Sequence, residues 1–307
     1  MAEQGNDPGT GTRFNTDTRL VNSDGSYNVK KRGGLGAMRD VYHFMVNVSW
    51  WKFNGIILLL FLGINVSFAC AYLVFDESCI SGKQFDDGTF THFLRCFYFS
   101  VQTMTTIGYG NLYPACHSTQ IIASAEALTG LMCLAVMTGV FYGRFSKPTA
   151  KLVFGKNALI SPFNNGKAFM IRFANKRNDV LMHVQATLLY SSNKKTESGE
   201  IVRTYYRMPL QFDTIQAMPL SWTLVHVIDD KSPFWNKTVE DMRAEHMEVL
   251  VQIKAFDETY HADVHARYSY SANQLVENAR FSKTFDTDAD GSVLLDLNTI
   301  GKYESVN

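Results

Sequence analysis

Two long apolar runs constrain this chain of 307 residues more than any other feature of its sequence. No charged residue occurs from Phe53 to Phe75, and Glu126 is the only charged residue from Ile121 to Tyr142. A helix over either run is long enough to cross the roughly 30 Å hydrocarbon core of a bilayer. A secretory signal peptide does not explain the first run, because the run starts far into the chain and no small-residue cleavage site follows it. The pattern predicts two transmembrane helices, at residues 53–75 and 117–145.

Basic residues are distributed unevenly around these runs. The loop between the runs carries only Lys83 and Arg95, whereas the outer flanks carry a larger basic set: Lys30, Lys31, Arg32, Arg39, Lys52, Arg144, Lys147 and Lys151. Positive charge marks the cytoplasmic side of membrane proteins. The sequence therefore predicts a multi-pass protein with both termini in the cytoplasm.

The residues before the first run form two predicted regions. Residues 1–34 are rich in Gly, Asn, Asp, Thr and Ser and have little to bury, which predicts a disordered tail. In residues 35–52, apolar and polar side chains separate onto two helical faces, and Trp50, Trp51 and Lys52 suit the headgroup level. We therefore predict an interfacial helix that leads into the transmembrane pore domain of residues 53–148. A soluble core helix is the alternative, which the direct contact with an apolar run disfavours.

The last half of the chain has the character of a soluble β protein. From Ala168 onward, short runs rich in β-branched and aromatic residues alternate with polar turns such as Ser191–Gly199. Several such runs at this spacing predict an all-β, immunoglobulin-like sandwich over residues 149–307. The segment from Asp286 to Gly291 copies half of a calcium-binding loop, but Leu297 replaces the acidic ligand that such a loop needs, so we predict a polar hairpin turn.

Composition and motifs exclude several classes of function. The formal net charge is zero and no basic, aromatic-rich face is present, so nucleic acid is not an expected partner. No nucleotide-binding loop, hydrolase motif or metal-hydrolase pair occurs, so we expect no enzyme activity, no cofactor and no small-molecule substrate. The five cysteines show no CxxC spacing, and a bond between Cys79 and Cys116 stays open at this point.

The segment between the runs carries the most specific signal. Residues 90–105 are helical in pattern but too short to cross a bilayer, and such a re-entrant segment survives at membrane depth only beside protein or water. It is followed by Thr106, Ile107, Gly108, Tyr109 and Gly110. Glycines at alternate positions reach backbone conformations closed to other residues, so successive carbonyls can face one way. Four such strands around an axis would make stacked rings of oxygens that replace the water shell of a cation, which predicts a homotetramer.

These residues carry a resemblance to a known family. The pattern TxxTxGYG, beginning at Thr103, resembles the potassium-channel signature, and the two spans, the interfacial helix and the β domain resemble the prokaryotic inward rectifiers, the KirBac family. The match covers roughly residues 35–300. The resemblance implies a potassium-selective channel of the inner (plasma) membrane, gated where the inner helices meet and by the cytoplasmic domain. Carbonyl filters are best known from potassium channels, so the identity of the ion, bound at Thr106, Ile107, Gly108 and Tyr109, rests on this resemblance.

Other residues acquire expected roles from the same resemblance. Gly130 matches a glycine hinge, Leu134 a position lining the central cavity, and Tyr142 the constriction that forms the gate. Leucine at the cavity position implies weak rectification, because strong rectifiers keep an acidic residue there. Gln102 and Asn111 depart from the eukaryotic pattern, in which an ion pair braces the filter.

A lipid partner is also implied. Lys52, Arg144, Lys147 and Lys151 match positions that meet anionic headgroups, and the family resemblance implies inhibition by phosphoinositide. An ordinary positively charged flank explains the same residues equally well.

Two alternative functions remain at this stage. A non-selective cation channel would share the architecture, but such channels often replace the tyrosine found here as Tyr109. A membrane-anchored protein that binds a ligand in its β-sandwich would leave the re-entrant helix and the glycine-rich strand without a purpose.

Overall fold

The computed structural model describes residues 21–22, 25–29, 41–76, 80–82, 88–195, 201–288 and 290–306. The chain divides into two compact units. The helical unit comprises Gly33–Lys147, and the β unit comprises Pro148–Asn307 together with Met1–Arg32.

Two long helices dominate the helical unit. The described elements in chain order are α1 (Val41–Asn47), α2 (Trp50–Asp76), β1 (Ile80–Gly82), α3 (Thr89–Met104), β2 (Leu112–Pro114) and α4 (His117–Phe145). Trp50–Val74 of α2 and the whole of α4 are long and apolar enough to cross a membrane. The prediction of two spanning helices with a shorter helix between them is confirmed.

The start of the first long helix differs from the sequence analysis. Trp50, Trp51 and Lys52 belong to α2 rather than to the interfacial helix, which ends at Asn47. The Asn47 side chain donates to the carbonyl oxygen of His43 at 2.7 Å, and such a local bond competes with continuation of the helix. Residues 35–40 of the predicted interfacial helix lie outside the described residues.

The β unit is a sandwich of two five-stranded sheets. Its elements are β3 (Leu152–Phe154), β4 (Ala158–Phe163), β5 (Gly166–Asn175), β6 (Leu181–Lys195), β7 (Ile201–Met208), β8 (Thr214–Met218), β9 (Ser221–Ile228), α5 (Val239–Ala244), β10 (Glu248–Asp257), β11 (Ala262–Ser271), β12 (Leu275–Glu277), β13 (Ala279–Phe281), β14 (Phe285–Thr287), β15 (Val293–Leu295) and β16 (Tyr303–Ser305). One sheet has the order β11-β10-β6-β7, with β8 also on β6; the other has the order β12-β4-β5-β3, with β9 also on β5. This confirms the predicted all-β class.

Alternating side chains of the central strands fill the space between the sheets. Phe169, Ile171 and Phe173 of β5 are fully buried in the same core as Val249 and Val251 of β10. This period-two pattern of burial is the one that half-buried strands require. The apolar runs seen in the sequence therefore mark the inner faces of the sandwich.

Three local features of the β unit differ from the predicted pattern or extend it. Strand β6 continues to Lys195, through part of the predicted turn at residues 191–199. Helix α5 has no counterpart in the sequence analysis; Thr238 and Asp241 cap it reciprocally. The predicted polar turn after Asp286 lies between β14 and β15, which pair antiparallel.

Part of the predicted disordered tail is ordered. Val21 is 3% exposed and packs against Leu250, and its carbonyl oxygen accepts from the Ser269 hydroxyl at 2.6 Å. Its backbone N–H donates to Glu248, whose other carboxylate oxygen is paired with buried Arg203 at 2.6 Å. A buried ion pair needs such additional hydrogen bonds, which explains why this segment is held. Residues 1–20, 23–24 and 30–34 of the predicted tail lie outside the described part of the chain.

One buried histidine connects β9 to the chain segments around it. His226 is 1% exposed; its Nδ1 lies 2.7 Å from the carbonyl oxygen of Pro209 and its Nε2 lies 2.8 Å from the Ser232 hydroxyl. A carbonyl only accepts, so Nδ1 carries the proton and Nε2 accepts from Ser232. Burial lowers the pKa of His226 below its usual 6.5, although Asp229 acts in the opposite direction.

We expect the β unit to lose stability when the pH falls below about 6.5, because the unfolded chain then binds a proton at residue 226 that the folded state excludes. The free energy of unfolding should fall by up to about 1.4 kcal/mol per pH unit until the folded pKa is reached. Urea unfolding of the full chain between pH 7.5 and 5.5 measures this. A His226→Gln variant should lack this part of the pH dependence, and identical pH profiles for both proteins would contradict the assignment.

Candidate ion filter and its supports

The candidate filter starts directly at the end of the re-entrant helix. Helix α3 ends at Met104, and the backbone N–H groups of Thr105 and Thr106 donate back to Val101 and Thr103. The N–H of Ile107 donates to the carbonyl oxygen of Gln102 at 2.9 Å. The first filter residues are therefore attached to the last turn of α3, and their position follows from the position of that turn.

The backbone of the filter alternates between two conformations. Thr106, Gly108 and Gly110 have φ values of 58°, 55° and 77°, in the left-handed region. Ile107 and Tyr109, between them, are not among the positive-φ residues. A β-branched residue is rarely found there, so Thr106 is held in this state by its surroundings. A Cβ built on Gly108 or Gly110 meets nothing within 4 Å, so glycine is required here by conformation and not by space.

The filter side chains are open to solvent in the single chain. Tyr109 is 73% exposed and Ile107 is 50% exposed. Large apolar side chains this exposed are typical of an interaction surface.

The outer end of the filter is tied to the loop that precedes α3. Strand β2 pairs antiparallel with β1, with Gly82 opposite Leu112 and Ile80 opposite Pro114. A Cβ on Gly82 would lie 2.0 Å from the carbonyl oxygen of Asn111, so only glycine permits this approach. Arg95 of α3 also donates to the Ile80 carbonyl.

The cysteine pairing that the sequence left open concerns this outer end. Cys116, at the start of α4, is disulfide-bonded, while Cys79 lies outside the described residues.

A buried carboxylate lies behind the filter. Glu126 of α4 is fully buried, and it accepts hydrogen bonds from the Tyr72 hydroxyl of α2 at 2.6 Å and from the Ser100 hydroxyl of α3. Ser100 also lies 3.0 Å from Oδ1 of Asn65, whose side-chain nitrogen approaches the Met104 sulfur at 3.2 Å. The sequence analysis expected a polar partner for Glu126 without naming one. The isolated polar residues Asn65 and Ser100 within apolar segments were the available signal.

The predicted hinge, cavity and gate residues all lie on α4. Gly130 is buried and a Cβ there would lie 2.3 Å from the carbonyl oxygen of Met104. Leu134 is 63% exposed and Tyr142 is 74% exposed in the single chain. Helix α4 is continuous through all three positions. The three residues therefore share one helix, but their side chains are not brought together.

The basic residues expected at the headgroups fall into two groups. Arg144 donates to the carbonyl oxygens of Met45 and Val48, and its guanidinium lies over the rings of Trp50 and Phe53 at 4.8 and 4.3 Å. Arg144 therefore supplies hydrogen-bond donors at the end of α1, where carbonyl groups lack partners within the helix.

The three lysines predicted to meet the headgroups are more accessible than Arg144. Lys52, Lys147 and Lys151 are exposed. Lys147 donates to the side-chain oxygen of Asn47, and Lys151 belongs to the β unit. The contacts between Arg144 and the end of α1 were not predicted from the sequence, although the aromatic residues close to Arg144 in the chain were a signal.

Comparisons with known proteins agree with this architecture. The chain matches the family model described as "Inward rectifier potassium channel C-terminal domain" over residues 152–307 and the model described as "Ion channel" over residues 56–147. Among solved structures, the sporulation control protein Spo0M of Bacillus subtilis aligns with 41% of this chain and 49% of its own at 12% identity and a TM-score of 0.20, too low to indicate a shared fold.

Several relatives carry the same family name. The inward rectifier potassium channel Kirbac3.1 of Paramagnetospirillum magnetotacticum is 35% identical over 290 residues, covering 94% of this chain and 95% of the relative. The G protein-activated inward rectifier potassium channel 2 of Pongo abelii is 25% identical, covering 94% of this chain and 72% of the relative. The inward rectifier potassium channel irk-1 of Caenorhabditis elegans is 24% identical, covering 87% of this chain and 53% of the relative. The chain therefore belongs to the inward rectifier potassium channel family, whose members are membrane ion channels and not enzymes.

Proposed function

We propose that four copies of this chain conduct potassium ions through a filter formed by Thr106, Ile107, Gly108, Tyr109 and Gly110. The observation that carries the proposal is the alternation of left-handed φ values at Thr106, Gly108 and Gly110. Alternation of this kind lets neighbouring carbonyl groups face the same side of an extended strand, where they can replace the hydration shell of a cation. Potassium is the permeant ion and no cofactor takes part.

The homotetramer follows from the geometry of coordination. One strand supplies a quarter of each oxygen ring, and cyclic symmetry supplies the rest. The exposure of Tyr109 and Ile107 in one chain supports this assembly, because neighbouring subunits would cover both side chains. The carboxyl end of α3 would add the negative end of its dipole to the pore, which favours a cation there.

The remaining pathway lies along α4. Leu134 lines the cavity below the filter, and the four copies of Tyr142 form the gate. Both side chains are exposed in the single chain, as residues that face a shared pore must be. The basic flanks support an orientation in the plasma membrane with both termini in the cytoplasm.

Anionic lipid is the proposed partner besides the other subunits. Lys52, Lys147 and Lys151 would meet the headgroups of a phosphoinositide, and binding would inhibit the channel. Arg144 is less suited to this role, because both of its terminal nitrogens already donate to carbonyl oxygens at the end of α1.

The two alternative functions are weaker. A non-selective cation channel conflicts with the intact Thr-Ile-Gly-Tyr-Gly sequence. A membrane-anchored binding protein leaves the ion-channel match over residues 56–147 without an explanation.

Purified protein in liposomes should take up rubidium, with block by barium and preference for potassium over sodium. Replacing Gly108 with Ala should reduce this uptake by at least about tenfold, because four side chains would be forced into a left-handed backbone at a cost of about 1–3 kcal/mol each. Gly63→Ala in α2 is the matched control, since a Cβ there meets nothing within 4 Å. Equal sodium and potassium flux would favour the non-selective alternative, and no flux would contradict a channel.

The cavity position gives a second test. Leu134→Asp should make outward current sensitive to internal magnesium or spermine, with at least about a tenfold lower half-blocking concentration, because four carboxylates would attract a multivalent cation within the pore. Current recordings from bilayers with blocker on the cytoplasmic side measure this change. Unaltered block in Leu134→Asp would place residue 134 away from the ion pathway.

The lipid proposal predicts that phosphoinositide in the liposomes lowers rubidium uptake. Changing Lys52, Lys147 and Lys151 together to Gln should weaken this inhibition, with each removed charge contributing about 1 kcal/mol. Lys231→Gln, at an exposed loop position of the β unit, is the control. Inhibition that is undiminished in the triple variant would show that these charges only orient the protein in the membrane.

A further inference from the structure

We propose that Glu126 and Gly130 form a seat on α4 that positions α3 and so holds the filter in its potassium-selective geometry. In this seat, Gly130 serves close packing and not bending. The inference rests on the proposed function of the filter, and it concerns two residues that do not line the ion pathway.

The first contact of the seat is polar. The carboxylate of Glu126 is fully buried and receives the hydroxyl groups of Ser100 and Tyr72, so it links α3 and α2 to α4. Among the described residues it makes no ion pair, so these two hydroxyl donors are its main support. Deleting one donor would leave a buried oxygen of this carboxyl group without a hydrogen-bond partner, which destabilises the contact between the helices.

The second contact of the seat is steric. Gly130 is buried, and a Cβ on it would lie 2.3 Å from the carbonyl oxygen of Met104 and 3.1 Å from its Cα. These are backbone atoms, so no rotation of a side chain can relieve the overlap. The end of α3 would have to move by roughly 1 Å to reach an ordinary contact distance of 3.4 Å.

The two contacts match in spacing. Glu126 and Gly130 are four residues apart on α4, and their partners Ser100 and Met104 are four residues apart on α3. Residues at this spacing lie on the same face of a helix, so the contacts follow one line where the two helices meet. A pair of contacts along a line fixes the depth and the tilt of α3, which a single contact does not.

The last turn of α3 transmits this position to the filter. Met104 directly precedes Thr105 and Thr106, and the backbone bonds from Thr106 and Ile107 return to Thr103 and Gln102. A shift of Met104 therefore displaces Thr106, the first residue with left-handed φ. The seat supplies from behind the support that Gln102 and Asn111, both uncharged, cannot supply as an ion pair.

Packing also explains why residue 130 is glycine without any need for a hinge. Helix α4 runs unbroken from His117 to Phe145. Gly139 lies in the same helix, and a Cβ there meets nothing within 4 Å. Substitution at Gly139 changes the flexibility of α4 alone, whereas substitution at Gly130 also displaces α3.

Comparing Gly130→Ala with Gly139→Ala in liposomes tests the proposal. Gly130→Ala should lower the ratio of potassium to sodium uptake and the affinity for barium by at least about tenfold, because the new Cβ displaces Met104 and with it the first filter residues. Gly139→Ala should keep both values of the unaltered protein. A Gly130→Ala channel with normal selectivity and normal barium block, changed only in its rate of opening, would overturn the seat and support a hinge.

A second pair of variants covers the case in which Gly130→Ala fails to assemble. Ser100→Ala removes one donor to Glu126 with little change in volume, and it should shift selectivity and barium affinity in the same direction. Ser67→Ala is its control, because among the described residues the Ser67 hydroxyl bonds only to the carbonyl oxygen of Gly63 in its own helix. Unchanged selectivity in Ser100→Ala would also overturn the proposal.

The unaltered protein separates this proposal from the proposed function. If it shows no selective, barium-blocked uptake, the proposed function fails. If it does show such uptake and the Gly130 and Ser100 variants match it, the seat alone fails.

Discussion

The need to satisfy backbone polar groups inside a membrane governs the helical unit. Helices α2 and α4 satisfy this need internally, but the segment from Thr106 to Gly110 is not helical. Such a segment is tolerable only where protein supports one side and water or an ion contacts the other. The short helix α3, the β1–β2 pair and the buried face of α4 all contribute to the protein side of this arrangement.

The supports behind the filter combine polar and steric contacts within an apolar setting. Glu126, Tyr72 and Ser100 join three helices through one carboxylate, and Gly130 lets a backbone carbonyl approach where a larger residue would exclude it. Helix association in lipid depends on such small residues and interhelical hydrogen bonds, because the surrounding tails offer no hydrophobic gain. The same chemistry that holds the helices together thus shapes the filter.

Features with local signals could be predicted from the sequence. The spans follow from the absence of charge, the left-handed backbone at Gly108 and Gly110 from glycine itself, and strands such as β5 and β10 from their alternating apolar residues. Contacts between distant segments could not be predicted, because they depend on tertiary packing and not on a local sequence pattern. Tyr72 and Glu126 are 54 residues apart, and Val21 reaches Glu248 across 227 residues, with no pattern in the chain that pairs them. The predicted end of the interfacial helix was misplaced for the same reason. At the end of α1, the carbonyl oxygen of Val48 accepts a hydrogen bond from the distant Arg144.

The arginine at the end of α4 has a mechanical consequence. Its guanidinium is held between two aromatic rings of α2 and two carbonyl groups at the end of α1. Any sideways displacement of α1 must either break the two hydrogen bonds to these carbonyl groups or pull the final turn of α4 along with it. Tyr142, the proposed gate residue, lies two residues before Arg144, so this joint would convert motion of α1 parallel to the bilayer surface into a displacement of the proposed gate.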